Sequence, residues 1–254
     1  MEPHHLLESY LKQLGLPTFR QHYRQFAEDA ARTNQGYDQF LCALAEQELA
    51  QREQHRQARY IQAARFPVLK ELADFDFSRV PSVSKPRVLD LARGSYIPAA
   101  EPILLVGNPG LGKTHLAIAL ALTACRQSYR VRFYNAAGLV NDLLQAQDEH
   151  RLARLLSTAL KYRLIVLDEL GFIPFSAPGA QLLFQFCSAL YERVALLVTT
   201  NLRFADWVQI FGDERLTAAL LDRLTHRAHV LEFLGESYRF RQRLQRDTQV
   251  EASD

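Results

Sequence analysis

The stretch PILLVGNPGLGKTHLAIALALTAC, Pro102–Cys125, decides how this chain is read. It joins a short apolar run, a glycine-rich turn and a long apolar stretch of helical pattern. The turn GNPGLGKT, Gly107 to Thr114, fits G-x-x-x-x-G-K-[ST], and a strand before and a helix after are the context this phosphate-loop motif requires. Gly107, Gly110 and Gly112 let backbone N–H groups curl around phosphates, with Asn108, Pro109 and Leu111 completing the loop. The following helix turns its positive end to the same point. Lys113 is set to reach β- and γ-phosphate oxygens, and the Thr114 hydroxyl to ligate Mg²⁺. A coincidental glycine turn is the alternative, and the scarcity of lysine argues against it: the chain has 30 Lys+Arg, of which only Lys12, Lys70, Lys85, Lys113 and Lys161 are lysine.

Downstream, LIVLDE (Leu164–Glu169) supplies the second half of such a site. Four apolar residues bury a strand and deliver Asp168 and Glu169 to its carboxyl end, where ligands bind in parallel sheets. Asp168 is expected to hold Mg²⁺, directly or through water, and Glu169 to polarise the attacking water as general base. A strand ending in two acids can also be a solvated edge. The next apolar run, VALLVTTN, ends in Asn201, whose amide can hold the lytic water or sense the γ-phosphate, or can cap a loop. Acids on one strand and a polar sensor on the next is the order of the additional-strand, catalytic-glutamate P-loop ATPases. A nucleotide kinase has less use for the adjacent Glu169.

The runs PILLVG, VRFYNA, YRLIVLDEL and RVALLVTTN are rich in Val, Ile and Leu and predict buried parallel strands. Helical patterns at 112–127, 136–160 and 178–192 alternate with them. The expected fold is therefore α/β, a parallel sheet with flanking helices. Residues 1–75 read as a small all-α amino-terminal domain, with breaks at Gly15-Leu16-Pro17 and Thr33-Asn34-Gln35-Gly36. Its stretch AEQELAQREQHRQARYIQ has few apolar positions. It reads as a helix exposed on most sides and supported by pairs such as Glu48 with Arg52, or as one that packs on another subunit or nucleic acid. Residues 76–101, with Pro81, Pro86 and Pro98, read as a linker. The ATPase domain is expected over 102–246 and a frayed tail over 247–254.

Composition excludes several classes. No apolar stretch approaches a membrane span, and the start lacks the pattern of a secretory signal. Cys42, Cys125 and Cys187 lack CxxC spacing and fit free thiols of a reducing cytoplasm, and no HExxH occurs. The net charge of +2 conceals a basic segment: residues 126–165 carry 7 Lys+Arg against 3 Asp+Glu. Near the carboxyl end, LTAALLDRLTHRAHVLEF (Leu216–Phe233) is an apolar helix pattern followed by a short strand. Asp222, Arg223, His226, Arg227 and His229 are set among its leucines, either as a solvated face or with an arginine awaiting an anion.

The whole chain resembles the IstB family, AAA+ ATPase helpers encoded beside the transposase in one class of bacterial insertion sequences. More distantly it resembles the helicase loaders DnaC and DnaI. The resemblance lies in AARFPVLKELADFDFS, the phosphate-loop stretch, LIVLDELGFIPFS, TTNLRFADWVQIFGD, AALLDRLTHRAHVLEF and GESYRFR. It implies ATP and Mg²⁺ as cofactors, an ATP-dependent homo-oligomer, largely sequence-tolerant binding to double-stranded DNA, and a cognate transposase as partner. By the same resemblance Arg223 is the arginine supplied to a neighbour's ATP, and Arg239 a second γ-phosphate sensor. It also implies a helical wedge after the second strand, roughly Ala136 to Lys161, that touches DNA. Arg151, Arg154, Lys161 and Arg163 would neutralise phosphates there, with Tyr162 stacking or packing, although a solvated basic helix has the same composition. A helicase loader is the alternative function. A protein remodeller would need pore-loop aromatics, which the sequence does not offer in a convincing place.

Overall fold

The computed structural model describes residues 3–235, and the chain separates into two compact units, 1–59 and 60–254. Unit one is helical: α1 (Pro3–Gln13), α2 (Pro17–Thr33) and most of α3 (Tyr37–Ala64). Its core is small, built on Leu11, Tyr23 and Leu44 with Phe19, Phe26 and Phe40 against them. Pro17 opens α2, where its missing N–H is no loss, but Leu16 provides no side-chain cap. Glu48 of α3 does that work, accepting from the Thr18 N–H at 2.9 Å and the Phe19 N–H at 3.4 Å. The expected Glu48–Arg52 pair is present at 2.7 Å.

Unit two holds a five-stranded sheet of order β2-β3-β4-β1-β5, every pairing parallel. In chain order its elements are α4 (Lys85–Leu91), β1 (Ile103–Gly107), α5 (Lys113–Arg126), β2 (Val131–Asn135), α6 (Ala136–Asp148), α7 (Leu152–Ala159), β3 (Leu164–Leu170), α8 (Ala177–Leu190), β4 (Ala195–Thr200), α9 (Val208–Phe211), α10 (Glu214–Thr225) and β5 (His229–Phe233). β4 lies between the phosphate-loop strand β1 and the acid-bearing strand β3; it is the additional strand of the expected class. Alternation along each strand divides two cores. Ile103, Leu105, Val131, Phe133, Val166 and Leu197 face α5 residues Leu116, Leu120 and Ala124. Leu104, Ile165, Leu167, Leu196 and Val198 face Leu139, Leu143, Leu183 and Phe186 of α6 and α8.

Two expectations are corrected. The segment 76–101 is not an open linker, because Val80, Val83, Val88, Leu91, Tyr96 and Ile97 are buried in the first core. Its Pro86 sits in the first turn of α4, behind the Ser84 N-cap, so that proline opens a helix and does not mark a loop. The pattern at 136–160 is two helices. His150, at φ +54, stands in the left-handed region between α6 and α7 and ends the first of them. Among the described residues no helix is long and apolar enough to cross a membrane.

Candidate nucleotide site

The phosphate loop is held from below by close packing. A Cβ at Gly107, whose φ is +146, would lie 2.2 Å from the Phe233 carbonyl oxygen, so β5 admits only glycine there. Gly112, at φ +90, starts α5 with the Phe75 ring directly beneath it. Leu111 is buried and anchors the loop in the core. Lys113 is 8% exposed, and its Nζ donates to the carbonyl oxygens of Gly107 and Asn108 at 2.6 and 2.8 Å. The ammonium thus folds across the loop, where phosphate oxygens can replace those carbonyls.

β3 brings its acids to this loop across the sheet. The Thr114 hydroxyl donates to Asp168 Oδ1 at 2.9 Å and lies 3.2 Å from Oδ2. The Thr199 hydroxyl of β4 donates to Asp168 Oδ1 at 2.6 Å. Burial raises the Asp168 carboxyl above its ordinary value; the hydrogen bonds from Thr199 and Thr114 oppose this, the Glu169 charge adds to it, and Lys113 lowers it. An oxygen pair of one hydroxyl and one carboxylate suits Mg²⁺, a hard cation that keeps waters and takes phosphate oxygens as its remaining ligands. The donors Thr114 and Asp168 therefore fit the expected metal.

Glu169 is exposed and points into the cleft, and its backbone has φ +59. Asn135, at the end of β2, donates from Nδ2 to Glu169 Oε2 at 2.9 Å while its Oδ1 caps α6 at Ala137 and Gly138. Sequence reasoning missed Asn135, although an Asn immediately before a helix is a cap signal. The cleft encloses about 980 Å³ and is lined by Pro109 to Thr114, Glu169, Thr199, Thr200 and Asn201. Its far wall, Val68, Lys70, Phe75, Asp76, Arg79 and Val80, went unassigned in the sequence reading. That wall comes from the stretch before the sheet, held on α5 by a two-pronged Glu71–Arg126 pair at 2.7 and 2.5 Å and by His115 Nε2 at 3.1 Å from the Glu71 carbonyl oxygen.

The other expected residues lie elsewhere. Arg223 does not line this cleft; it lies in the last turn of α10 with its guanidinium 4.7 Å over the Phe184 ring. Arg239 lies outside the described residues. Arg154, Lys161 and Arg163 are exposed, Arg151 pairs with Glu149, and Tyr162 packs half-buried on the second core. The cysteines are free, and burial pushes the Cys125 and Cys187 thiols up to about 12, which leaves neither a thiolate at neutral pH. Among the described residues no group of three or more His, Cys, Asp or Glu side chains is gathered as a metal site.

Fold and cleft together define the class: a phosphate-loop protein with the sheet order of the AAA+ fold. The family described as IstB-like ATP binding protein matches residues 9–246. The ATP-binding protein of insertion sequence IS21 from Pseudomonas aeruginosa is 37% identical over 239 residues, 94% of this chain and 90% of that protein. That of insertion sequence IS5376 from Geobacillus stearothermophilus is 35% identical over 244 residues, 96% of this chain and 97% of the relative. The chain belongs to this IstB-like family of insertion-sequence ATP-binding proteins. Among solved structures, DnaI is similar over 65% of this chain and 91% of its own, with a TM-score of 0.56 and 16% identity. The replication initiator DnaA bound to AMPPCP and single-stranded DNA is similar over 69% of this chain and 54% of its own, with a TM-score of 0.53 and 19% identity. At these identities the likeness is one of fold.

Proposed function

We propose that this chain is an ATP-hydrolysing, DNA-binding regulator that assembles into oligomers and helps the transposase of its insertion sequence capture and join target DNA. The observation that carries the catalytic part is one cleft lined by Lys113, Thr114 and the carboxylate of Glu169, with Asp168 hydrogen-bonded to Thr114 behind it. Lys113 would bind β- and γ-phosphate oxygens, with the glycine-loop N–H groups around them. Val68, Val80 and Leu111 offer an apolar wall for the base. Mg²⁺ held by Thr114 and Asp168 would neutralise charge on the phosphates. Glu169 takes the proton of the attacking water, Asn135 holds that carboxylate until nucleotide arrives, and Asn201 orients the water or the γ-phosphate.

Arg223 is outside its own cleft, so its expected part in hydrolysis is in a neighbouring subunit's site. Arg151, Arg154, Lys161 and Arg163 are offered to DNA phosphates, and such contacts are tolerant of sequence and sensitive to salt. The relatives are named for insertion sequences, which favours a transposase over a replicative helicase as partner. Glu169→Gln is the direct test. It should bind ATP as the parent does, hydrolyse it at least about a hundredfold more slowly, and persist on DNA. Turnover at the parent rate would remove Glu169 from the mechanism.

A further inference from the structure

β3 and β4 fall out of register at the acids. Leu167 faces Val198, but Leu170 faces Thr200, so Asp168 and Glu169 together stand opposite the single residue Thr199. That is a β-bulge: one extra residue on β3, which bends the strand and leaves an N–H without a carbonyl partner on the neighbouring strand. The residue in the bulge with left-handed backbone is Glu169, at φ +59, and its N–H turns to a side chain of the neighbouring strand. A buried N–H left unpaired is costly, and a non-glycine residue in this region is strained, so something must hold the bulge.

The Thr199 side chain fills the gap. Its Oγ1 accepts from the Glu169 N–H at 2.9 Å and donates to Asp168 Oδ1 at 2.6 Å. It is 1% exposed and sits on the central strand β4, whose backbone is paired on both sides. One hydroxyl thus ties the peptide of the second acid to the carboxylate of the first. Valine has the same shape and β preference, so packing alone does not call for threonine here.

We propose that Thr199 is a positioning residue for the hydrolytic site, its hydroxyl latching the bulge that turns Glu169 into the cleft and orienting Asp168 toward Thr114. This rests on the reading of the cleft as an ATPase site. Without the hydroxyl, Asp168 loses a donor and the Glu169 N–H loses the Thr199 acceptor, so the bulge is free to relax toward regular pairing. That relaxation would carry the Glu169 side chain out of the cleft while the phosphate loop, built on β1 and α5, stays as it is.

The test compares Thr199→Val with Thr199→Ser on the full chain, with DNA present. Thr199→Val should lower the turnover number about tenfold to a hundredfold, the worth of hydrogen bonds to charged and buried groups. Nucleotide affinity measured without Mg²⁺ should stay within about threefold. More Mg²⁺ should be needed to reach full nucleotide affinity. Amide hydrogen exchange of the peptide spanning Leu167 to Gly171 should accelerate, while that of β1 and β4 does not. Thr199→Ser should restore all of these. A valine variant with the parent's turnover, Mg²⁺ requirement and exchange would overturn the proposal. If Thr199→Val does not fold, Thr199→Ala against Thr199→Ser gives the same comparison, and equal losses in both would likewise overturn it. If the parent binds ATP but never hydrolyses it, the ATPase reading fails; exchange at Glu169 and the Mg²⁺ requirement still decide whether Thr199 is the latch.

Discussion

At Gly107 an added methyl group would meet the Phe233 carbonyl oxygen, and the strand edge that blocks it is backbone, which has nowhere to go. The position also has φ +146, which a side chain resists independently. Gly107→Ala should therefore cost about 2 kcal/mol or more and weaken nucleotide binding, since the loop begins there. Calorimetric melting and nucleotide titration check both, and a parent-like melting temperature would contradict the close approach of β5. Asn135 acts at the same scale. One amide caps α6 with its oxygen and holds Glu169 with its nitrogen, so a movement of that helix start and the freedom of the carboxylate are linked through a single side chain.

Elements carry the next set of effects. In unit one, Glu48 joins two helices: it takes the first N–H groups of α2 while it is paired to Arg52 within α3. Burial raises its carboxyl, but the bonds from Arg52, Thr18 and Phe19 outweigh this and hold it below the ordinary value. A depressed folded-state pKa means that the stabilisation is complete above the unfolded value of about 4.3 and is lost as pH falls through the lower folded value. Glu48→Gln should thus destabilise α2 by about 1–3 kcal/mol at pH 7, with the difference from the parent shrinking in acid. Hydrogen exchange of α2 peptides at several pH values reads this, and a constant difference would show that the charge is not what matters. In unit two, α7 turns Leu152, Leu155 and Leu156 onto the core and leaves Arg154 outside, with Lys161 just beyond its end. Replacing Arg151, Arg154 and Lys161 with alanine should reduce the slope of log affinity for DNA against log salt by up to about 3. A triple variant with the parent's slope would return this face to plain solvent exposure.

For the whole molecule the decisive matter is where Arg223 acts. Within one chain its guanidinium rests over Phe184 and donates to the Ala219 carbonyl at 3.4 Å, away from the phosphate loop. If it completes a neighbour's site, Arg223→Ala should bind ATP and turn it over roughly a thousandfold more slowly. Mixed in equal amounts with Glu169→Gln, it should regain part of the activity, because some interfaces join an intact Glu169 cleft to an intact Arg223. Mixed oligomers that form and remain inactive would exclude action between subunits. An arginine that only stacks on an aromatic ring would instead change stability by about 1 kcal/mol and leave turnover alone.

What the sequence determined by itself is whatever short-range pattern encodes. The glycine loop between strand and helix, the buried runs of β1, β3 and β4 and the acid pair at the end of β3 are each contiguous. Their periodicity and spacing state the class of fold and point to the candidate nucleotide site. What only the tertiary structure decided depends on register and on contacts between distant segments. The role of Thr199 follows from a one-residue slip between β3 and β4, which no composition reveals. Asn135 meets Glu169 only because β2 lies beside β3. The wall from Val68 to Val80 faces the phosphate loop because Glu71 and Phe75 are held on α5, and the proline-marked stretch 76–101 is packed because its spaced apolar residues find the open face of the sheet. Local pattern selects each element. Burial against partners far along the chain selects which side chains meet, and the chemistry of the cleft lies in those meetings.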